Sequence, residues 1–324
     1  MPASGEFGAG TPKQRLRCRR ALAHVPGTMP CMTPTCIFHI CTRVAAEAAR
    51  ASGSYRAASL DTEGFIHLSQ AHQVRPVLDA FYVGQPDLVL LLVLPQLLRA
   101  PLRFEPPSTL PHGPGAALPD ASQLFPHLYG TLNMDAVVDV LDTAHFQGAP
   151  VHPETAALLQ HYRFERLPVE GTLYRSTWRS GRIDDPHPPA GTAMIGLYAE
   201  SPRSVSCFHR LTRDEVWHVY GGDPFTLYLL HPDGRSEAVL MGPDPLAGQQ
   251  VQQLIPAGVW QAGCMVPGGR HALFGCTMAP GFTGDCFEAA QTEWLAAQYP
   301  QQAAVIRRLA VNGAVLGMPT GFAP

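Results

Sequence analysis

The sequence predicts a mainly β fold with some helix, laid out as an α+β block followed by a β-barrel or sandwich. Three observations carry this. Between residues 192 and 277 short apolar runs recur at roughly 8–12-residue spacing, each closed by turn residues, the pattern of an all-β barrel or sandwich. The chain holds 30 Gly and 32 Pro, a supply suited to many turns and short of low-complexity levels. Hydrophobic residues make up 46% and charged residues 15%, so a core is within reach and the signature of disorder is absent. A length of 324 residues suggests two domains.

Residues 1–31 belong to neither block. Lys13, Arg15, Arg17, Arg19 and Arg20 cluster there with Glu6 as the sole acid, and no apolar stretch of signal-peptide length follows. Three readings stand: a transit peptide, a disordered leader, or sequence upstream of a true start at Met29 or Met32. The first block, 36–146, opens with a strand over 36–40 and a helix capped by Thr42 and closed by Gly53. A strand over 64–69, a helix over 70–81 containing Pro76, and an apolar strand over 87–94 follow. Six prolines predict a loop over 101–120, and 134–140 suits a strand or a short helix. Residues 147–152 read as a linker. The second block, 153–310, begins with a helix over 153–162. It continues with strands over 192–199, 205–211, 215–220, 225–230, 237–241, 252–255 and 272–277, and ends in a helix over 288–299. Asp233-Gly234 predicts a type I′ hairpin turn. Residues 311–324 read as a flexible tail.

The formal charge of −3 argues against a nucleic-acid partner, which would need a dense basic face. The longest apolar run, 88–94, is far short of a membrane span. Eight cysteines without a C-x-x-C pair suit neither a metal motif nor a secreted disulfide scaffold, so free thiols in a reducing cytoplasm are expected.

In the first block, His39, His67 and His127 sit inside apolar runs, and His67 and Ser69 share a face if their segment is extended. With Glu105 they form a candidate set for gripping a nucleotide and stabilising a sugar cation, or for acid–base work; the plainer reading is hydrogen-bonded core histidines. The stretches Ile37-Phe-His-Ile-Cys-Thr42, Gly64-Phe-Ile-His-Leu-Ser69, Arg103-Phe-Glu-Pro106 and Phe125-Pro-His-Leu-Tyr-Gly130 resemble, in order, domain-of-unknown-function family 952. That family resembles the ADP-ribosyltransferase fold. The resemblance implies NAD+ as a cofactor, with His39, His67, Ser69, Glu105 and His127 as the residues to examine.

In the second block the densest constellation is Cys207-Phe-His-Arg-Leu-Thr-Arg-Asp-Glu-Val-Trp-His-Val-Tyr-Gly-Gly222, a hairpin that would bring His209 and Glu215 together. A turn at Pro256-Ala-Gly-Val-Trp260 delivers Trp260 and Gln261 to the next strand. These pieces resemble the cupin motifs: His209, Glu215 and Gly222 fit the first, and Pro256 and Gly258 the second. Leu211 and Gln261 stand where that fold places two histidines, which leaves His209, Glu215 and Gln261 as a poor divalent-metal set and His218 as a substitute. Gly171-Thr-Leu-Tyr-Arg-Ser176, Asp214-Glu-Val-Trp-His218, Ile255-Pro-Ala-Gly-Val-Trp260 and Ala279-Pro-Gly-Phe282 extend the likeness to domain-of-unknown-function family 985, whose usual His-Pro-Glu-Gly run reads Leu167-Pro-Val-Glu170-Gly here. The resemblance implies a cupin (RmlC-like) barrel and a homodimer. Two functions stay open for it. One is a small-molecule pocket walled by Phe208, Trp217, Trp260 and Gln261. The other is metal-independent isomerisation or epimerisation, with His209 as base, Glu215 as its orienter, and Tyr174 or Tyr220 as acid.

Overall fold

The computed structural model describes residues 35–107, 123–181, 187–311 and 313–323. The expected leader lies outside them.

In the first block, strand Leu88–Val93 is buried along its whole length because it is central, antiparallel to Ile37–Thr42 on one side and Val137–Asp142 on the other. Thr42 Oγ1 accepts from the Ala45 amide (3.3 Å) to start helix Arg43–Ser52, and Gly53 ends it at φ 79°. Helix Ala71–Phe81 starts with a reciprocal Gln70–Gln73 capping box and accommodates Pro76. A second sheet pairs Phe125–Leu128 with Ile66–His67 and Leu102–Glu105. Two expectations are corrected here. The strand over 64–69 shrinks to two residues because Ser69 leaves this sheet to bridge Phe38 of the other, so His67 and Ser69 share no strand face. The expected loop over 101–120 begins with a strand, since no proline interrupts 102–105; residues 108–122 lie outside the described set.

The second block is two antiparallel sheets. One runs in the order Gln252–Ile255, Glu215–Gly222, His271–Met278, Thr192–Ala199, Leu173–Arg179, Glu165–Arg166. The other runs Ser236–Met241, Phe225–Leu230, Trp260–Met265, Ser206–Leu211, Phe287–Ala289. Tyr198, Trp217, Phe225 and Phe274 are packed between them. The hairpin at Asp233-Gly234 is not type I′: only Gly234 has positive φ, and His231 and Arg235 close a loop in which Pro232 holds negative φ. The helix expected over 288–299 begins later, at Thr292–Gln298, because Phe287–Ala289 joins the second sheet as an edge strand.

One hydrophobic core crosses the boundary between the blocks. Phe38, Leu90 and Leu92 pack in the same cluster as Ala156 and Leu159 of helix Pro153–Tyr162 and Leu173 and Leu197 of the barrel. Val151, within the expected linker, is buried in that cluster. The segment after 310 also packs: Val311, Leu316 and Met318 cover Leu211 and Phe287, and the Leu316 carbonyl accepts from the Ala289 amide. The cysteines at 36, 41, 207, 264, 276 and 286 are buried free thiols. No described helix is long and apolar enough to cross a membrane.

Candidate functional site

Between the two sheets lies a cavity of about 50 Å³, lined by Glu170, Tyr174, His209, Glu215, Trp217 and Cys276 among others. The pairing of Trp217 with Cys276 on neighbouring strands places Glu215, Trp217 and Cys276 on one inner face. The opposite sheet supplies His209, paired in register with Gln261.

His209 is 3% exposed. Its Nδ1 lies 2.8 Å from the Cys207 carbonyl oxygen. A carbonyl only accepts, so Nδ1 carries a proton, and in the tautomer with that proton alone Nε2 is an acceptor. Glu215 is held by Trp217 Nε1 (3.0 Å) and Gln261 Nε2 (2.8 Å), both donating to Oε2, while Trp217 Nε1 also reaches Gln261 Oε1 (3.1 Å). Burial raises the Glu215 carboxyl above its usual range despite those donors and the nearby His209. Burial also holds Cys276 well above the ordinary thiol value, so it remains an S–H beside Glu215.

The sequence reading missed Glu170. It is 6% exposed, and its Oε1 accepts from Thr172 Oγ1 (2.6 Å) and Ser206 Oγ (2.7 Å). Its Oε2 faces His209 Nε2 at 3.9 Å. A tight turn delivers it: the Glu170 amide bonds back to the Pro168 carbonyl (2.6 Å) around Val169, whose φ of 65° is a strained conformation for a β-branched residue. Such strain persists where the surroundings enforce it, often at functional sites. The available signal was an acidic residue between Pro-Val and Gly-Thr, just ahead of strand Leu173–Arg179.

Three expected barrel residues lie elsewhere. Tyr220 is an odd number of positions from Glu215, so strand alternation turns it to the outer face, where it is 54% exposed. Trp260 and Phe208 adjoin the inward residues Gln261 and His209, and the same alternation buries them on the other side of their sheet with Leu295. His218 also points outward, bonded to Thr277 Oγ1 (2.9 Å) and Gln252 Nε2 (3.1 Å), so it is no substitute ligand. Of the conditional metal set, Gln261 is engaged through both amide atoms and Glu215 Oε2 takes two hydrogen bonds, so the trio offers no three free donors. Tyr174 does line the cavity. A different trio, His152, Glu154 and His271, brings ligand atoms within 4.8 Å of one another, but Arg270 already donates to Glu154 Oε2 (3.0 Å).

In the first block the short sheet assembles a second cluster. His127 Nδ1 bonds Glu105 Oε2 (3.1 Å), which also accepts from Tyr129 Oη (2.7 Å); His67 Nε2 bonds Glu63 Oε1 (3.1 Å). The two imidazoles meet edge to face at 5.4 Å, Phe65 stacks on His127 at 4.1 Å, and Arg103 lies over Tyr129. The hydrogen bond from Tyr129 lowers Glu105, and burial lowers His127. Glu105, His67 and His127 therefore come together, joined by Glu63, Phe65 and Tyr129, which the sequence reading had not singled out. His39 lies behind them: its Nδ1 donates to the His67 carbonyl (2.8 Å), Nε2 is buried without a partner, and burial lowers the ring to about 4. Ser69 is buried and bonded to Phe38 through its backbone.

Two family models match, in order along the chain: a protein family of unknown function, DUF952, over residues 40–140, and the cupin superfamily family DUF985 over residues 156–290. A protein of known structure from Shewanella oneidensis is 36% identical over 48% of this chain and 95% of its own, with a TM-score of 0.43. A hypothetical protein from Leishmania major is 26% identical over 48% of this chain and 98% of its own, also with a TM-score of 0.43. One from Caulobacter crescentus is 30% identical over 38% of this chain and 99% of its own, with a TM-score of 0.27. No curated protein matches the chain.

Proposed function

We propose, for a chain that belongs to the DUF985 cupin family over 156–290 and to the DUF952 family over 40–140, that the cupin barrel is a small-molecule site whose polar end is read by His209 and Glu170. The observation that carries this is the facing pair of acceptors, His209 Nε2 and Glu170 Oε2, inside an otherwise largely apolar cavity. Tyr174 also lines the cavity and supplies a hydroxyl acid alongside the imidazole, so proton transfer on a bound molecule fits the residue types. The test is native mass spectrometry of gently purified full-length protein together with a metabolite screen by thermal shift. A bound mass or a stabilising compound that His209→Ala abolishes supports the site. A result identical for wild type and variant, or no bound mass and no stabilising compound in wild type, refutes it.

A second reading rests on the Glu105–His127–Tyr129 cluster, where an ionised carboxylate, two imidazoles and the aromatic ring of Phe65 lie together. An ADP-ribosyltransferase-like fold, with NAD+ cleaved there, is the proposal that follows from the family resemblance. Nicotinamide release from NAD+ by wild type and not by Glu105→Gln would support it. No release by wild type would end it.

A further inference from the structure

We infer that the barrel cavity selects a small protonated amine, a primary or secondary ammonium seated between Glu170 Oε2 and His209 Nε2. This rests on the proposed barrel site and names its ligand class.

The two atoms are 3.9 Å apart, beyond hydrogen-bond range. Neither is bonded to the other: Nδ1 places its proton on the Cys207 carbonyl, and the other oxygen of Glu170 is taken by Thr172 and Ser206. Two acceptors thus face each other across a gap. A nitrogen placed about 2.8 Å from each subtends close to a right angle, roughly 20° inside the tetrahedral angle between two N–H bonds, so each hydrogen bond bends by only about 10° from linear. One such group serves both acceptors at once. A water molecule also has two protons to give, and the charges and walls of the cavity rank the ammonium above it. The described lining residues include two carboxylates, Glu170 and Glu215, and neither Lys nor Arg. An anionic ligand would be buried against like charge without a counterion, whereas a cation compensates Glu170. Tyr174, Trp217 and Phe282 supply aromatic rings to the walls, the setting in which a desolvated cation gains from ring quadrupoles. Glu170 is placed there by a backbone turn whose strained Val169 a looser turn would avoid.

The test is calorimetric titration of the metal-free full chain at neutral pH with n-propylammonium, n-propanol and propionate, probes of one size and three charges. The expected result is ammonium binding at least tenfold tighter than propanol, with propionate weakest. Glu170→Gln, nearly isosteric, should reduce the preference for the ammonium over propanol at least tenfold. Because the three-probe comparison is made on wild type, it stands even if the variant fails to fold. Propanol or propionate binding as tightly as the ammonium overturns the charge selection and leaves the barrel site intact. No binding of any probe overturns the ammonium inference, while the barrel site is judged separately by the mass-spectrometric experiment. A divalent cation, Zn2+ or Mn2+, that binds stoichiometrically and excludes the ammonium would also overturn it, by making the same acceptors metal ligands.

Discussion

Replacing Trp217 with Phe isolates the strut that holds the barrel's inner polar groups. The indole is 2% exposed, and its N–H is shared between Glu215 Oε2 and Gln261 Oε1. Phenylalanine keeps most of the stacking on Phe274 at 4.7 Å. Glu215 Oε2 keeps its bond from Gln261 Nε2, but Gln261 Oε1 loses its donor in a dry interior, which costs about 1–3 kcal/mol. The smaller ring leaves roughly 40 Å³ unfilled, worth about 1 kcal/mol at the measured cavity coefficient. The expected loss is therefore about 2–4 kcal/mol, read as a lower urea midpoint at unchanged slope. Adding Gln261→Leu removes the stranded acceptor and also the remaining donor to Glu215 Oε2, so the double variant should depart from the sum of the two single losses, by about 1 kcal/mol. A Trp217→Phe loss under about 1 kcal/mol, or strict additivity in the cycle, would show that the shared N–H is not what supports Glu215 and Gln261.

Three further outcomes are expected. Burial raises Glu215, so the unfolded chain ionises first and wild-type stability falls as pH climbs from the ordinary carboxyl value through the raised one; Glu215→Gln should flatten that fall, and parallel pH–stability curves would contradict it. His39 is held down from 6.5 to about 4, so its contribution is complete above pH 6.5 and lost as pH falls toward 4. At about 1.4 kcal/mol for each pH unit that is roughly 3 kcal/mol, and His39→Gln should show a correspondingly shallower acid loss in urea melts at pH 7 and 4.5. A homodimer, formed across the unpaired sheet edges, should give light scattering at twice the 35.0 kDa chain mass; a monomer at micromolar concentration would refute it.

The apolar rhythm of the second block made its strands legible, because each inner face needs alternate hydrophobic residues and each turn needs Gly or Pro. Leu173–Arg179 was harder to read: Trp178 sits on a bulge that breaks the alternation, and much of the strand's outer side is exposed. His209 and Glu215 were readable as a pair because a hairpin joins them. Glu170 was not, since a turn far away in sequence brings it to His209. Tyr220, Trp260 and Phe208 were misplaced for one shared reason: composition says an aromatic is near, while only strand parity says which side it takes. Tyr129 and Glu63 escaped notice because their role exists only once three short strands align.

The core that runs from Leu90 and Leu92 through Leu159 to Leu197 makes the two families inseparable at the bench. Cleaving the chain within 147–152 would bare Phe38 and the central strand on one half and helix Pro153–Tyr162 on the other. Each fragment would carry an adhesive face and tend to precipitate or to find the other again. The whole should therefore melt in a single transition rather than two. Genetic dissection of the two sites accordingly belongs to point substitutions in the uncut polypeptide, with silence of an isolated half counting against neither.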